Sequence, residues 1–394
     1  MLLKGSFDLK SALKQMAIYC LRMVLRLFYI FPVKRNRILF CSYGGGQFSC
    51  NPKAIFNYIS RSYPRQFDCV WVFQKPEAFC NVSEYPMRTV KYKSFYYHYL
   101  MLTAKVIVNN NNISSYIPLR KSQLYINTWH GGGAYKRVGV YSPQQTTSVS
   151  IRLCAEMTDY MISSSRRFSE VMVPSVMLPM EKMWEVGMPR NDVLMAPHPE
   201  LVKKVKDYYH LSDNMHIVLY APTYRGSTFD AAKEDDSLNI QQCLSALSER
   251  FGGEWIAFYR VHYFLTSSIP ATEQVIDASS YPDMQELLCA ADVLITDYSS
   301  SMWDMSLTGK PCFIYATDIA DYQQERDFYT PINEWPFPIA QNNQELASVI
   351  QNFDEQKYAA DVQHHHDALG SCETGHASQT VGDFIHSKCF ADNQ

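Results

Sequence analysis

Apolar residues in this chain come in short blocks, and the polar stretches between them carry either helical periodicity or loop-forming residues. Arg37 to Ser42, Cys69 to Phe73, Lys105 to Val108, Gln123 to Asn127 and Met161 to Ser164 are predicted as strands, with a helix over Ser94 to Thr103. The same rhythm resumes at Ile217 to Tyr220, Trp255 to Val261, Val275 to Ile276, Ala290 to Ile295 and Lys310 to Tyr315, with a helix over Met284 to Ala290. Strands alternating with helical stretches predict the α/β class with parallel sheets, where ligands bind at the carboxyl ends of strands. Between the two sets, Val186 to Asp192 and the polar run through Pro197 and Pro199 break both periodicities and mark an inter-domain connection. The expected division is 1–36, 37–195 and 196–394.

The first of these segments has a pattern of its own. From Leu9 to Phe31 it is largely apolar, yet Lys10, Lys14, Arg22 and Arg26 interrupt it, so no uncharged span of about 20 residues exists to cross a bilayer. On a helix those cations fall within an arc of roughly 160°. They leave a broad face of Leu13, Met16, Ala17, Cys20, Met23, Val24, Leu27 and Phe31, and Lys34, Arg35 and Arg37 follow at once. The pattern predicts an amphipathic helix lying in a membrane interface, its cations on anionic headgroups.

Composition narrows the function. The 394 residues suit two domains, and 47% apolar against 19% charged residues describes a folded chain. A net charge of -3 excludes an overall basic face, so no nucleic acid partner is expected. The eleven cysteines are scattered without a CxxC pair, which points to reduced thiols and to neither a disulfide framework nor a zinc site. No Walker motif or GxGxxG follows a strand, so an ATPase or a Rossmann dehydrogenase is disfavoured. His364, His365 and His366 are read as a solvated helix surface, because consecutive residues do not converge on one helix face.

Candidate chemistry gathers at strand ends. Thr128 to Arg137 places His130 before Gly131, Gly132 and Gly133, with Lys136 and Arg137 following. Glycines expose the ring and free backbone N–H groups, so His130 is a candidate general base and Lys136 and Arg137 are phosphate neutralisers. Ile295 to Thr308 is a strand-to-helix junction whose Ser299, Ser300 and Ser301 suit a phosphate through N–H groups and hydroxyls, a helix cap by Asp297 or a serine being the equal alternative. Arg225 follows the strand ending at Tyr220, beside Thr223, and could grip phosphate oxygens through its planar fork. Arg260 and His262 alternate onto one face at the end of another strand and suit a diphosphate, a buried structural histidine being the equal alternative.

Taken together these motifs resemble one family, the CDP-glycerol glycerophosphotransferases, that is, teichoic-acid-type primases and polymerases. The resemblance rests on Trp129-His130-Gly131 with Lys136 and Gly139, Gly187 with Pro189-Arg190-Asn191-Asp192, and Ala221-Pro222-Thr223-Tyr224-Arg225. It continues through His262, Asp297-Tyr298-Ser299-Ser300 with Asp304, Arg326, and Gly375-His376-Ala377-Ser378. Two departures, Gly132-Gly133-Ala134 after the first His-Gly and Val261 before His262, leave both histidines in place.

The resemblance implies a GT-B fold, two Rossmann-like domains facing across a cleft, the second holding the nucleotide. It implies His130 and His262 as the catalytic histidines. It places Thr223, Arg225, Asp297, Ser299, Ser300, Asp304 and Arg326 around the donor phosphates, and Gly131, Gly132 and Lys136 against acceptor or phosphate. The implied reaction moves an alditol phosphate from CDP-glycerol or CDP-ribitol to a lipid-linked saccharide or polyol-phosphate acceptor at the cytoplasmic face of a bacterial membrane, in teichoic-acid-like or capsular polymer synthesis. No acidic cluster demands Mg²⁺, although Asp297 and Asp304 are the carboxylates that would serve one. A nucleotide-sugar glycosyltransferase and a non-catalytic, membrane-associated nucleotide-binding protein remain the alternatives.

Overall fold

A computed structural model describes residues 9–141, 148–223, 238–260, 272–319, 322 and 328–390. Two parallel sheets carry the fold. The first contains β1 (Lys34–Cys41), β2 (Asp68–Phe73), β3 (Arg88–Lys91), β4 (Ala104–Asn109), β5 (Leu124–Asn127), β6 (Tyr160–Ser163) and β7 (Met183–Glu185) in the order β3-β2-β1-β4-β5-β6-β7. The second contains β8 (Met215–Tyr220), β9 (Glu254–Tyr259), β10 (Val275–Asp277), β11 (Val293–Thr296), β12 (Cys312–Tyr315) and β13 (Ile339–Ala340) in the order β10-β9-β8-β11-β12-β13. Both therefore start at a central strand, run outward, and restart on its other side.

The buried strands are the apolar blocks of the sequence. In β1, Ile38 and Phe40 enter one core and Leu39 and Cys41 the core on the opposite face, which is why the run shows no polar alternation. Ile38 pairs with Val106 and Leu39 with Ile107, so the register matches apolar residues across the sheet. The edge strands β3, β7 and β13 were not predicted. Their patterns, with a single buried residue in β3, half-buried residues throughout β7 and two residues in β13, leave no apolar block to find. The run Ala290 to Ile295 divides differently from expectation, the helix Met284–Ala290 ending before β11 begins at Val293.

Other expectations are corrected. Within the predicted connection Pro189–Leu194 forms a short 3₁₀ segment in which Pro189, Arg190, Asn191 and Leu194 are buried. The final helix, Ala377–Phe390, was assigned to the second domain but packs on the first. Val381, Ile385 and Cys389 share a core with Ile38, Phe40 and Ile55. Asp192 caps that helix, accepting from the N–H groups of Ala377 at 2.9 Å and Ser378 at 2.7 Å, so two quoted motifs meet.

The histidine triplet lies on the helix Glu355–Leu369, where His365 and His366 are buried, not solvated. His365 shares a 3.0 Å hydrogen bond with the Tyr135 hydroxyl and His366 a 2.8 Å bond with that of Ser306. The buried positions Tyr358, Val362, His365, His366 and Leu369 follow helical spacing, a signal visible in the sequence.

The helix Leu9–Leu25 and the turn Arg26–Ile30 are tied to the first half by Leu25, which shares a core with Leu39 and Ile107, and by Phe28 packed against it. Arg22, counted among the outward cations, instead faces the protein and donates to the carbonyls of Ser115 at 2.5 Å and Ile117 at 3.1 Å. Leu13, Met16, Met23, Val24 and Leu27 stay exposed, Met23 by 68% and Leu27 by 70%. Among the described residues no helix is long and apolar enough to cross a membrane.

Candidate functional site

In sheets of this order the crevice lies where strand order reverses, between β1 and β4 in the first sheet and between β8 and β11 in the second. Each crevice is bridged the same way. The Asn110 Oδ1 after β4 accepts from the Tyr43 N–H after β1 at 2.8 Å. The Asp297 Oδ1 after β11 accepts from the Thr223 N–H at 2.9 Å and the Thr223 hydroxyl at 2.6 Å.

His130 stands beside the first crevice, on the loop leaving β5. Asn51 grips that loop through its Nδ2, which donates to the carbonyls of Thr128 at 2.9 Å and Trp129 at 3.1 Å. This holds Trp129 in a left-handed conformation at φ 51°, unusual for a residue with a bulky side chain. The His130 Nδ1 lies 2.8 Å from the Asn110 carbonyl, which only accepts, so Nδ1 carries the hydrogen and Nε2 keeps a lone pair. Trp129 stacks on the ring at 4.8 Å and Tyr43 meets it at 5.7 Å. Burial holds the imidazole below its ordinary value of 6.5, and nearby Arg190 pushes the same way against the Asn110 hydrogen bond. The ring is therefore neutral at pH 7 and able to take a proton.

The second half presses against this loop. A Cβ built on Gly131 would lie 3.0 Å from the Ser300 Oγ, and one on Gly132 only 2.1 Å from Cδ1 of Trp303. The glycine run lets the His130 loop lie on the helix Ser301–Ser306. Lys136 reaches the Thr223 hydroxyl at 3.5 Å and lies over the Tyr322 ring at 5.6 Å. Ser299 and Ser300 are partly exposed, and the Ser299 Oγ accepts from the Ser301 hydroxyl at 3.0 Å. The fold thus gathers His130, Gly131, Gly132, Lys136, Thr223, Asp297, Ser299 and Ser300, while Arg225, His262 and Arg326 lie outside the described residues.

Two carboxylates and one arginine differ from expectation. Asp304 is buried with its Oδ2 2.6 Å from Arg190 and 3.1 Å from Gln285, turned to the seam between the halves and not to a phosphate. Asp297, also buried, receives the N–H groups of Thr223 and Tyr298 and so sets the loop from which Thr223 projects. Each carboxylate thus has one oxygen engaged by protein donors, and no group of three or more His, Cys, Asp and Glu able to hold a metal occurs among the described residues. Arg260 donates to the carbonyls of Ala278 at 3.1 Å and Tyr281 at 2.8 Å, which fastens a loop within the second half.

Sequence reasoning missed the supports of this site. Asn51, Asn110 and Arg190 hold the histidine loop. Glu373 accepts from Trp303 at 3.0 Å, Asn191 at 3.1 Å and the Met188 N–H at 2.9 Å, and burial pushes its carboxyl up to about 7. Trp303, fully buried, is the surface on which Gly132 rests. A cavity of about 740 Å³ has Lys53, Arg61, Arg190, Lys204 and Glu286 among its lining, and His130, Ser299 and Ser300 do not line it.

The model of the family described as CDP-Glycerol:Poly(glycerophosphate) glycerophosphotransferase matches residues 23–387, and the chain belongs to that transferase family. Teichoic acid poly(glycerol phosphate) polymerases of Staphylococcus epidermidis and Bacillus spizizenii are 32% and 30% identical to it over 90% and 91% of its length. The chain spans 51% of the first relative and 94% of the second. Among solved structures, the wall teichoic acid polymerase TagF aligns with a TM-score of 0.81 at 30% identity, over 98% of each chain. A histidine-to-asparagine variant of TagF with CDPG aligns with the same TM-score at 29% identity, over 96% of each chain. The α/β fold with parallel sheets is thus that of TagF.

Proposed function

We propose that this chain transfers glycerol phosphate from CDP-glycerol to a hydroxyl of a lipid-linked acceptor, releasing CMP, in the synthesis of a teichoic-acid-like polymer. The observation that carries the reading is His130, its Nδ1 locked on Asn110 and its Nε2 free, on a loop that touches Ser300. The acceptor oxygen forms a bond to the glycerol-bearing phosphorus as the bond from that phosphorus to the bridging oxygen breaks, and CMP departs with the electron pair. Nε2 takes the hydroxyl proton. Catalysis of this kind rests on positioning and on meeting charge on the phosphoryl oxygens. Lys136, the Thr223 hydroxyl and the Ser299 and Ser300 groups supply donors for that charge, and the family resemblance assigns the same task to Arg225, His262 and Arg326, which lie outside the described residues. The test is CMP release from CDP-glycerol and, in parallel, CDP-ribitol, with a lipid-linked saccharide on anionic vesicles. CMP from CDP-glycerol with glycerol phosphate on the lipid supports the reading. CMP from CDP-ribitol alone, or sugar incorporation from a nucleotide sugar, overturns it.

The same reading sets the reaction at the cytoplasmic face of a membrane, and a membrane-surface site is supported by an apolar surface wider than the N-terminal helix. Ile30 is 80% exposed and Phe95, at the start of the helix Phe95–Thr103, 79% exposed, with Phe28 joining them at 5.2 Å from Phe95. Exposed Arg26 and Lys34 lie in the same stretch of chain, suited to anionic headgroups. Each such side chain buried in lipid contributes about 1.5–3 kcal/mol. The triple variant Leu27→Glu, Ile30→Glu, Phe95→Glu is therefore expected to lose at least about tenfold in affinity for anionic vesicles in a sedimentation assay, with unchanged CMP release on a water-soluble acceptor. Unchanged sedimentation would remove this surface from the proposal.

A further inference from the structure

Arg190 lies behind His130 and touches both halves of the molecule. Its Nη1 donates to the His130 carbonyl at 2.7 Å, and its Nη2 pairs at 2.6 Å with Asp304, on the helix that begins directly after Ser299 and Ser300. The Arg190 N–H is itself held by Asn51 Oδ1 at 3.0 Å, the same Asn51 whose amide grips the carbonyls of Thr128 and Trp129. Two side chains thus fix the successive carbonyls of residues 128, 129 and 130, around the left-handed turn at Trp129.

We propose that Arg190 and Asp304 form a positioning pair, which sets the His130 imidazole against the donor-side serine loop by tying the His130 carbonyl to the helix after that loop. The planar fork presents two nitrogens in a fixed relation to two acceptors, one from each half, a task a lysine amine cannot reproduce. With the carbonyl held by Arg190 and the ring Nδ1 held by Asn110, the direction of Nε2 is determined at two points. The pair is poorly arranged as a stabiliser. Both residues are buried, yet Arg190 Nε and Asp304 Oδ1 have no hydrogen-bond partner among the described residues. A buried pair left incompletely satisfied adds little to folding over apolar groups of the same shape, so its geometry is the better account of its presence.

This inference rests on His130 being the base of the proposed transfer, and its test separates the two. The apolar double variant Arg190→Met, Asp304→Leu keeps the packing and removes the fork. It is expected to fold with an unfolding midpoint near that of the parent, to keep the donor KM, and to lose at least about tenfold in kcat, since small displacements of a reacting group are costly. Arg190→Lys is expected to show the same split between kcat and KM. If the double variant does not fold, Asp304→Asn, which keeps the shape and drops the charge that orients the fork, takes its place. A second readout needs no turnover: the His130 ring titration followed by NMR on histidine-labelled protein, expected to move up toward the ordinary value once the cation behind the ring is gone. Parental kcat in a folded double variant overturns the positioning pair. Full turnover in His130→Gln instead overturns His130 as the base, and in that case the ring titration still responds to the double variant.

Discussion

His130→Gln is expected to lower turnover by at least about a hundredfold while donor binding changes little, because a lost general base typically costs that much and the amide cannot accept the acceptor proton. The variant keeps a side chain able to donate to the Asn110 carbonyl, so the loop between Trp129 and Gly131 is retained. The pH profile supplies the sign. Burial holds the His130 imidazole below its ordinary 6.5, so the base is unprotonated throughout the neutral range. Activity of the parent is therefore expected to be flat from neutral pH down to about 6.5 and to fall only as pH drops further, through the lowered value. His130→Gln is expected to lose that acid limb along with the rate. Steady-state CMP release between pH 5 and 8, with donor affinity measured separately by calorimetry, checks both. Parental turnover, or an acid limb that persists unchanged in the variant, would remove His130 from proton transfer.

The strands that carry this histidine were legible in the sequence, and the side chains that hold it were not. The strands that deliver the loops were visible because parallel strands covered on both faces carry uninterrupted apolar blocks, as at Leu124–Asn127 and Val293–Thr296. His130 was visible because a histidine before three glycines at a strand end suits no core. The role of the glycines was not. Gly131 and Gly132 admit Ser300 and Trp303, and only the docking of one half on the other shows that the space they leave is already occupied. Asp304 was legible as an invitation to phosphate or Mg²⁺ for the same reason: a carboxylate after a serine run does not announce that a guanidinium from residue 190 will reach it. Arg190 itself directly follows Gly187-Met188-Pro189, and those breakers made a loop the natural reading. Contacts between distant segments, unlike strands, leave no local periodicity.

The histidine triplet shows the opposite case, in which periodicity was available and carries a large consequence. His365 and His366 are buried, and burial pushes both imidazoles down to about 4 from an ordinary 6.5. The folded state therefore refuses protons that the unfolded chain accepts between those values, so the stability these residues contribute is present above pH 6.5 and lost as pH falls to about 4. Each contributes on the order of 3 kcal/mol across that range, since one pKa unit corresponds to about 1.4 kcal/mol. Glu373 works in the other direction. Its carboxyl, pushed up to about 7, favours folding at lower pH over the range from its ordinary 4.5. Where the windows overlap, two groups oppose one and acidification destabilises. His366 packs against Trp303 at 4.4 Å, and Trp303 carries Gly132, so the charge would arrive beneath the His130 loop. Denaturant midpoints of the parent are expected to fall between pH 6.5 and 4.5. The double variant His365→Gln, His366→Gln retains partners for the hydroxyls of Tyr135 and Ser306, and it is expected to be weaker at pH 7 and to reverse that slope, Glu373 then acting unopposed. An unaltered slope in the double variant would assign the acid sensitivity elsewhere.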